Sequence, residues 1–155
     1  MTDGHWQLEG SAAELYQRYL VPGITSKWAA DLVDRAQLRA GEEVLDVACG
    51  TGVVARLAAK QVASGHVTGL DLNAGMLAVA RVVSSDGVSV NWMEGSALDL
   101  PFPSGRFDAV FKTIIAPNEL PAICAGERFR CSVNPIKSSI SSSAYPCPGR
   151  RSLWL

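Results

Sequence analysis

The chain has 155 residues, of which 48% are apolar and 19% are charged, and its formal net charge is −1. This length favours a single domain with a core of useful size. The small net charge gives no overall attraction to nucleic acid or to an anionic membrane, and no stretch is long and apolar enough to span a bilayer. Because residues 1–6 also lack the basic-then-apolar layout of a signal peptide, we expect a cytoplasmic protein with no nucleic-acid partner and no membrane span.

The cysteines and histidines do not indicate a metal site. The four cysteines stand at positions 49, 124, 131 and 147, and no two of them form a C-x-x-C pair. The two histidines, His5 and His66, complete no zinc-ligand spacing. We therefore expect free thiols in a reducing compartment and no bound metal.

Apolar periodicity predicts the regular elements in chain order. Two N-terminal helices are expected within 12–36, with Ser11 as the first N-cap and a break at Val21-Pro22-Gly23. Beyond them the pattern alternates, with strands expected at 43–47, 66–71, 88–93 and 107–111 and helices at 53–61 and 74–83. Such alternation implies βαβ units and a doubly wound parallel α/β sheet, whose strand C-termini share one edge where ligands bind.

The composition changes after Lys112. Residues 1–112 carry 13 acidic and 9 basic side chains (net −4), whereas residues 113–155 carry 2 acidic and 5 basic side chains (net +3). The second segment also holds five of the eight prolines and the low-complexity run Ser138–Ser143. We expect a folded domain over 1–112 and an irregular Ser/Pro-rich tail over 113–155.

The run Val44–Gly52 joins an apolar strand to a turn of small residues. Gly50 and Gly52 lack the β-carbon that would keep a ligand away from the backbone, and both tolerate positive φ. The N–H groups that begin the following helix could meet a phosphate or a carboxylate. Asp46, near the strand end, could accept hydrogen bonds from a cationic amino group or cap nearby N–H groups. A tight turn that binds no ligand is the alternative.

A second carboxylate, Asp71, follows the glycine turn by about 20 residues, which is the spacing of a group that binds ribose hydroxyls. Its alternative role is to cap the helix that begins near Asn73. Asp108, at the start of the fourth strand, could brace a loop or touch a ligand. The glycine turn and Asp71 together favour a nucleoside cofactor.

The glycine turn does not fit the dinucleotide fingerprint G-x-G-x-x-G, because Ala48 and Val53 occupy its first and last positions. Its pattern, acid-x-small-x-Gly-x-Gly, resembles motif I of the class I S-adenosylmethionine-dependent methyltransferases. Later segments resemble the other motifs of that family in order: Gly69–Asn73 with Met76-Leu77, Glu94–Phe102, and Phe107–Val110. The resemblance covers residues 12–111 and extends to the small-molecule subgroup that includes the ubiquinone and menaquinone biosynthesis enzymes.

The resemblance implies S-adenosyl-L-methionine as the cofactor. It assigns the methionine part of the cofactor to Asp46 and to the backbone of Ala48, Gly50 and Gly52. It assigns the ribose hydroxyls to Asp71.

The resemblance also implies an adenine site. Leu72 and Met76 would pack near the ring, although their spacing alone also fits ordinary core residues. Ser96 and Ala97 would lie at the edge of the ring. Because many relatives have Asp where Ser96 stands, the hydrogen bond to the adenine amino group is expected to be weaker here.

The chemistry implied by the resemblance is methyl transfer to a small-molecule acceptor. A sulfonium methyl group is already electrophilic, so transfer needs an aligned nucleophile in a site that excludes water. We therefore single out no catalytic residue.

Members of the family continue past the fourth strand with a helix and three more strands, which residues 113–155 do not resemble. We expect an incomplete Rossmann-like sheet in the order 3-2-1-4, with strand 4 left as an edge that favours self-association. A frameshifted or truncated coding sequence would explain the change. Two alternatives remain open: a non-catalytic remnant that binds the cofactor weakly, and a nicotinamide-dependent oxidoreductase.

Overall fold

A computed structural model describes residues 10–84, 87–112 and 130–133, with only the backbone described at 10, 11 and 130–133. Five parallel strands form one sheet in the order β3-β2-β1-β4-β5. The strands are β1 Glu43–Val47, β2 His66–Asp71, β3 Asn91–Glu94, β4 Ala109–Lys112 and β5 Arg130–Val133. The predicted order of the first four strands is confirmed.

The fifth strand corrects the expectation that strand 4 is an edge. β5 pairs with β4 in parallel register, with Ala109 opposite Arg130 and Lys112 opposite Val133. Part of the segment expected to be irregular is therefore a strand. Four residues are too few to show a period of two in the sequence, and it is the hydrogen bonding to β4 that defines this strand.

The helices that follow β1 and β2 cover one face of the sheet. The helical elements are α1 Gly10–Leu15, a π-helical segment Tyr16–Thr25, α2 Ser26–Ala36, α3 Val53–Val62 and α4 Ala74–Val83. α2 packs on α3, and α1 packs on α4. Within the described ranges, no helix is both long and apolar enough to cross a bilayer.

Alternate residues of each strand divide the core between the two faces. On the helix-covered face, Val44, Val67 and Phe111 pack with side chains of α2 and α3. On the opposite face, Leu45, Val47, Leu70, Phe107 and Val110 form a second cluster, against which side chains from Met93 to Phe102 pack. Because both faces are covered, every residue of β1 after Glu43 is buried, as expected for a central parallel strand.

The N-terminal helices are continuous, which corrects the predicted break at Val21-Pro22-Gly23. The chain passes through Pro22 as a π-helix, in which Ser26 N–H donates to the carbonyl of Val21. The Thr25 hydroxyl donates to the Leu20 carbonyl at 3.2 Å, and the Ser26 hydroxyl donates to the Pro22 carbonyl at 3.2 Å. The wider turn and these hydroxyl groups accommodate a proline that an α-helix would not tolerate.

At the far end of the sheet, Asp108 braces the start of β1. The Asp108 carboxylate accepts a hydrogen bond from the Glu43 N–H at 3.0 Å, and the Asp108 N–H donates to the Glu43 carbonyl at 2.8 Å. These bonds lie at the amino-terminal edge of the strands. The bracing role is therefore the one that the structure supports.

Trp92 of β3 lies across two glycines. A β-carbon at Gly69 would come within 2.5 Å of the Trp92 ring and 3.1 Å of the Cys49 sulfur. A β-carbon at Gly52 would also collide with the Trp92 ring. Trp92 itself packs against the helix-side core cluster. The indole ring therefore requires glycine at both positions.

Gly69→Ala is expected to lower the free energy of unfolding by about 1–3 kcal/mol, since it overpacks a filled core. The matched control is Gly23→Ala, where a β-carbon meets no atom within 4 Å. This helical control should be neutral or gain up to about 1 kcal/mol. Denaturant unfolding of both variants measures the difference, and equal stability of the two variants would contradict the Trp92 contact.

Candidate functional site

Three turns meet at the carboxyl edge of the strands, and backbone hydrogen bonds join them. The Cys49 N–H donates to the Leu70 carbonyl at 3.0 Å, which holds the turn after β1 against β2. The Gly95 N–H donates to the Asp71 carbonyl at 3.0 Å, which holds the turn after β3 against the same strand. This is the edge at which ligands bind in doubly wound sheets.

The Asp71 carboxylate ties the glycine turn to β2. One oxygen accepts a hydrogen bond from the Gly50 N–H at 2.7 Å, and the other accepts from the Asn73 N–H at 2.8 Å. The cap of α4 is Asn73 instead, whose side chain accepts from the Met76 N–H at 3.1 Å. Asp71 is therefore not the helix cap. Each of its oxygens keeps a lone pair that could accept a further hydrogen bond.

The glycine turn is left-handed at three positions and open at only one of its glycines. The φ angles are +56° at Ala48, +57° at Gly50 and +79° at Gly52. A β-carbon at Gly50 would meet no atom within 4 Å, whereas the space beside Gly52 is filled by Trp92. A ligand can therefore approach the turn at Gly50, and the missing β-carbon of Gly52 is explained by packing.

Asp46 is a fully buried carboxylate beneath this turn. Its Oδ2 accepts a hydrogen bond from the Ala55 N–H at 3.0 Å, in the first turn of α3. In the part of the chain that the structure describes, its Oδ1 has no hydrogen-bond partner, and neither does the buried Thr51 hydroxyl. A buried acceptor without a partner costs free energy, so a donor that reached Oδ1 would bind there with an advantage.

The electrostatics of the turn favour a cation over a phosphate. Burial raises the pKa of Asp46 to about 8, and the Asp71 charge adds to this, while the Ala55 N–H and Arg56 oppose it. Burial likewise raises the pKa of the Cys49 thiol, with Asp46 and Asp71 contributing. An anion placed here would meet the Asp71 carboxylate, and the Ala55 N–H at the start of α3 is already bonded to Asp46, whereas a cation would favour the ionised form of Asp46.

Leu72 and Met76 differ in their surroundings. Leu72 lies at the carboxyl edge and is 52% exposed, whereas Met76 is buried in α4. The alternative of ordinary core packing therefore suits Met76 and does not suit Leu72. An exposed apolar side chain beside Asp71 is available to a ligand.

Ser96 and Ala97 lie in the turn that follows β3. The Ser96 hydroxyl accepts a hydrogen bond from the Leu98 N–H at 3.1 Å, and its carbonyl accepts from Asp99 at 3.2 Å. Ala97 packs against the second core cluster. Since Gly95 is bonded to Asp71, the structure brings this turn to the same edge as the glycine turn.

Two residues of the site were not predicted from the sequence. Trp92 was expected only as part of a strand, and nothing in the sequence shows that its ring reaches the glycine turn. Arg56, on α3, donates a hydrogen bond from its guanidinium to the Thr51 carbonyl. A basic residue in the first turn of the helix was the only signal, and it does not distinguish a turn brace from a ligand contact.

The chain belongs to a known family. Residues 44–125, more than half of the chain, match the family described as a methyltransferase domain. The resemblance drawn from the motifs is therefore confirmed, as is the Rossmann-like fold class.

Two curated relatives with named activities are similar to this chain over part of their length. The demethylmenaquinone methyltransferase of Symbiobacterium thermophilum is 44% identical over 92 residues, which cover 57% of this chain and 37% of that protein. The 2-phytyl-1,4-naphtoquinone methyltransferase of Thermosynechococcus vestitus is 38% identical over 102 residues, covering 63% of this chain and 45% of that protein. The chain thus spans less than half the length of these relatives.

A solved structure shows the same fold. The SAM-dependent methyltransferase of Aquifex aeolicus superposes with a TM-score of 0.55 at 21% identity, over 69% of this chain and 57% of that one.

The raised pKa of Asp46 predicts a pH-dependent stability. Between pH 3.8 and about pH 8, the folded chain retains a proton on Asp46 that the unfolded chain releases. The free energy of unfolding should therefore fall as pH rises through this window, by up to about 1.4 kcal/mol per pH unit.

Asp46→Asn is neutral at every pH and retains an acceptor for the Ala55 N–H. The stability of the variant relative to wild type should therefore rise from pH 5 to pH 8. Denaturant unfolding at both pH values measures this, and parallel curves for the two proteins would contradict a buried, protonated Asp46.

Proposed function

We propose that this chain is the cofactor-binding part of an S-adenosyl-L-methionine-dependent methyltransferase that acts on a small molecule. Two observations carry the proposal: the buried Asp46 Oδ1 has no hydrogen-bond partner in the described chain, and the glycine turn that follows it is open at Gly50. A ligand that brings an ammonium group and a ribose matches this turn and Asp71. A dinucleotide would bring its pyrophosphate toward the Asp71 carboxylate without supplying a cation for Asp46, which disfavours the nicotinamide alternative.

Each of the three turns would bind a different part of the cofactor. Asp46 with the backbone of Ala48 and Gly50 would hold the methionine end, and the remaining lone pairs of Asp71 would accept from the ribose hydroxyls. In this proposal Gly52 contributes through the shape of the turn, which Trp92 supports from below.

The adenine end would lie where the turns after β2 and β3 meet. Leu72 offers an exposed apolar surface, and Ser96 and Ala97 border it. Met76 would lie beneath the adenine end and would pack the start of α4. When bound, the cofactor supplies an electrophilic methyl group, so the chain must orient and dehydrate the site but need not activate the methyl donor.

We infer the class of acceptor from the relatives. Both are named for quinone substrates, and an acceptor of that class is a small aromatic ring with a long apolar substituent. We assign the cofactor-binding unit to residues 1–112 and propose a cytoplasmic location, which suits the free, buried Cys49.

Gly50→Ala should lower the affinity for S-adenosylhomocysteine at least tenfold, because the new β-carbon occupies the space that is open at Gly50. The backbone strain of alanine at positive φ adds a cost of about 1 kcal/mol to stability. Calorimetric titration measures the affinity, and unfolding measures the stability.

Gly105→Ala is the matched control for that experiment. Gly105 has φ +74° and no atom within 4 Å of an added β-carbon, so it carries the same strain on an exposed loop before β4. It should lose stability but retain affinity. Equal affinities of the two variants would remove Gly50 from the site, and preference for NAD over S-adenosylhomocysteine would favour the oxidoreductase alternative.

Methyl transfer itself is tested with methyl-labelled S-adenosylmethionine and a prenylated naphthoquinol. We expect label in the naphthoquinol fraction, and at subsaturating cofactor we expect about tenfold less of it with Gly50→Ala, in proportion to its lost affinity. Tight cofactor binding without labelled product would instead support the non-catalytic alternative.

A further inference from the structure

Most of the large apolar side chains that are exposed in the described part of the chain belong to two neighbouring helical regions, the N-terminal helices and α4. Leu15, Tyr19, Leu20 and Ile24 are 46% to 62% exposed, and Val82 on neighbouring α4 is 74% exposed. Only Leu72 and Leu98 complete the set of seven for the described ranges. Single exposed apolar residues are ordinary on a protein surface, but a contiguous group indicates a binding surface.

The π-helical segment is what aligns these side chains. Residues five apart point about 140° away from each other in an α-helix, whereas the wider turn of a π-helix, with its i→i+5 bonding, brings them onto the same side of the helix. Leu15 precedes Leu20 by five, and Tyr19 precedes Ile24 by five. The widened turn around Pro22 therefore gathers two apolar pairs into a single stripe, which we call the π stripe (Leu15, Tyr19, Leu20 and Ile24).

The charge around the π stripe is positive. From Leu15 to Lys27 the only charged residues are Arg18 and Lys27, and both are exposed. The Arg18 guanidinium lies 5.4 Å from the centroid of the Tyr19 ring, so a cation and an aromatic ring share one edge of the stripe. Glu14 is the nearest acidic residue along the helix, and it lies beside the stripe in a groove.

This groove, of about 340 Å³, separates the π stripe from α4. Val79 and Val82 form one wall, and Gln17 and Arg18 line the other. It runs as far as Gly75, in the first turn of α4, four residues beyond Asp71. The groove therefore runs along α4 beside the segment that carries the stripe, and one end of it lies near the carboxyl edge of the sheet.

We propose that the π stripe docks on the surface of an anionic lipid bilayer. The apolar side chains Leu15, Leu20 and Ile24 would insert at the boundary between headgroups and acyl chains, a region that tyrosine side chains such as Tyr19 also favour. Arg18 and Lys27 would bind lipid phosphates. Apolar residues, an aromatic ring and flanking cations on one helix face are the composition of interfacial helices. Arg18, Lys27 and the neighbouring Glu14 together carry a charge of +1 on a chain whose net charge is −1, so the attraction is local.

A protein partner would match the apolar side chains equally well, but the combination of apolar residues, an aromatic ring and flanking cations on one helical segment favours a bilayer surface. The proposal also stands apart from cofactor binding. Vesicle binding can fail while S-adenosylhomocysteine binds, or the reverse, so the two proposals are tested separately.

The test is co-sedimentation of the full chain with vesicles of phosphatidylcholine alone and with added phosphatidylglycerol, at low and high salt. We expect binding to the anionic vesicles that weakens with salt. Leu15→Ser/Tyr19→Ser/Ile24→Ser should lower the partition coefficient at least tenfold, and Arg18→Glu/Lys27→Glu should abolish the preference for the anionic lipid.

Leu98→Ser is the matched control, because Leu98 is 66% exposed on a different loop and should leave vesicle binding unchanged. Failure of the wild type to bind anionic vesicles would overturn the proposal. So would equal losses in the Leu98 variant and the stripe variants. A wild-type dimer in sedimentation velocity that the triple variant dissociates, with no vesicle binding, would overturn it in favour of contact between two copies.

Discussion

The candidate site depends on one buried carboxylate at the point where β1 turns into α3. Asp46 has no exposed surface, yet only one of its oxygens has a hydrogen-bond partner in the described chain, the Ala55 N–H. That bond satisfies one of the free N–H groups at the start of α3 from inside the protein. The arrangement leaves the other oxygen under the glycine turn, where the cost of burying it is recovered when a donor binds.

Asp71 and Trp92 keep the turn in place above this carboxylate. Asp71 holds Gly50 from β2, and Trp92 fills the space beside Gly52 and Gly69 from β3. Three neighbouring strands therefore shape a turn of five residues. The two glycines of the motif are needed for different physical reasons. Gly50 leaves the turn open to a ligand, whereas Gly52 makes room for the indole ring of Trp92.

The sequence predicts the sheet because its strands are short apolar runs that alternate with helices, and central parallel strands show this pattern clearly. It also predicts that Asp46, Gly50 and Asp71 come together, since they lie at or just after the carboxyl ends of neighbouring strands. The predicted helix break at Pro22 was wrong because a widened turn and two hydroxyl groups compensate for the missing N–H of proline. A rule that considers proline by itself does not include these neighbours. β5 was missed because its pairing with β4 is tertiary, and Trp92 was missed because the sequence does not show how far a ring reaches across a sheet.

The fold brings two different surfaces near each other at the first turn of α4. One is the polar turn with its two carboxylates, and the other is the apolar groove that reaches Gly75 from the π stripe. A cationic nucleoside suits the first, and hydrocarbon suits the second. An enzyme that methylates a ring with a long apolar substituent would use both kinds of surface.

The central claim, that a buried and protonated Asp46 receives the cationic end of the cofactor, is tested most directly by counting protons. S-adenosylhomocysteine is titrated into the chain by calorimetry at pH 7, in two buffers of different ionisation enthalpy. The account predicts that binding releases most of a proton, because the arriving ammonium group ionises Asp46. It also predicts that Asp46→Asn binds without this release. Binding of wild type with no proton release, or with the same release in the variant, would contradict it.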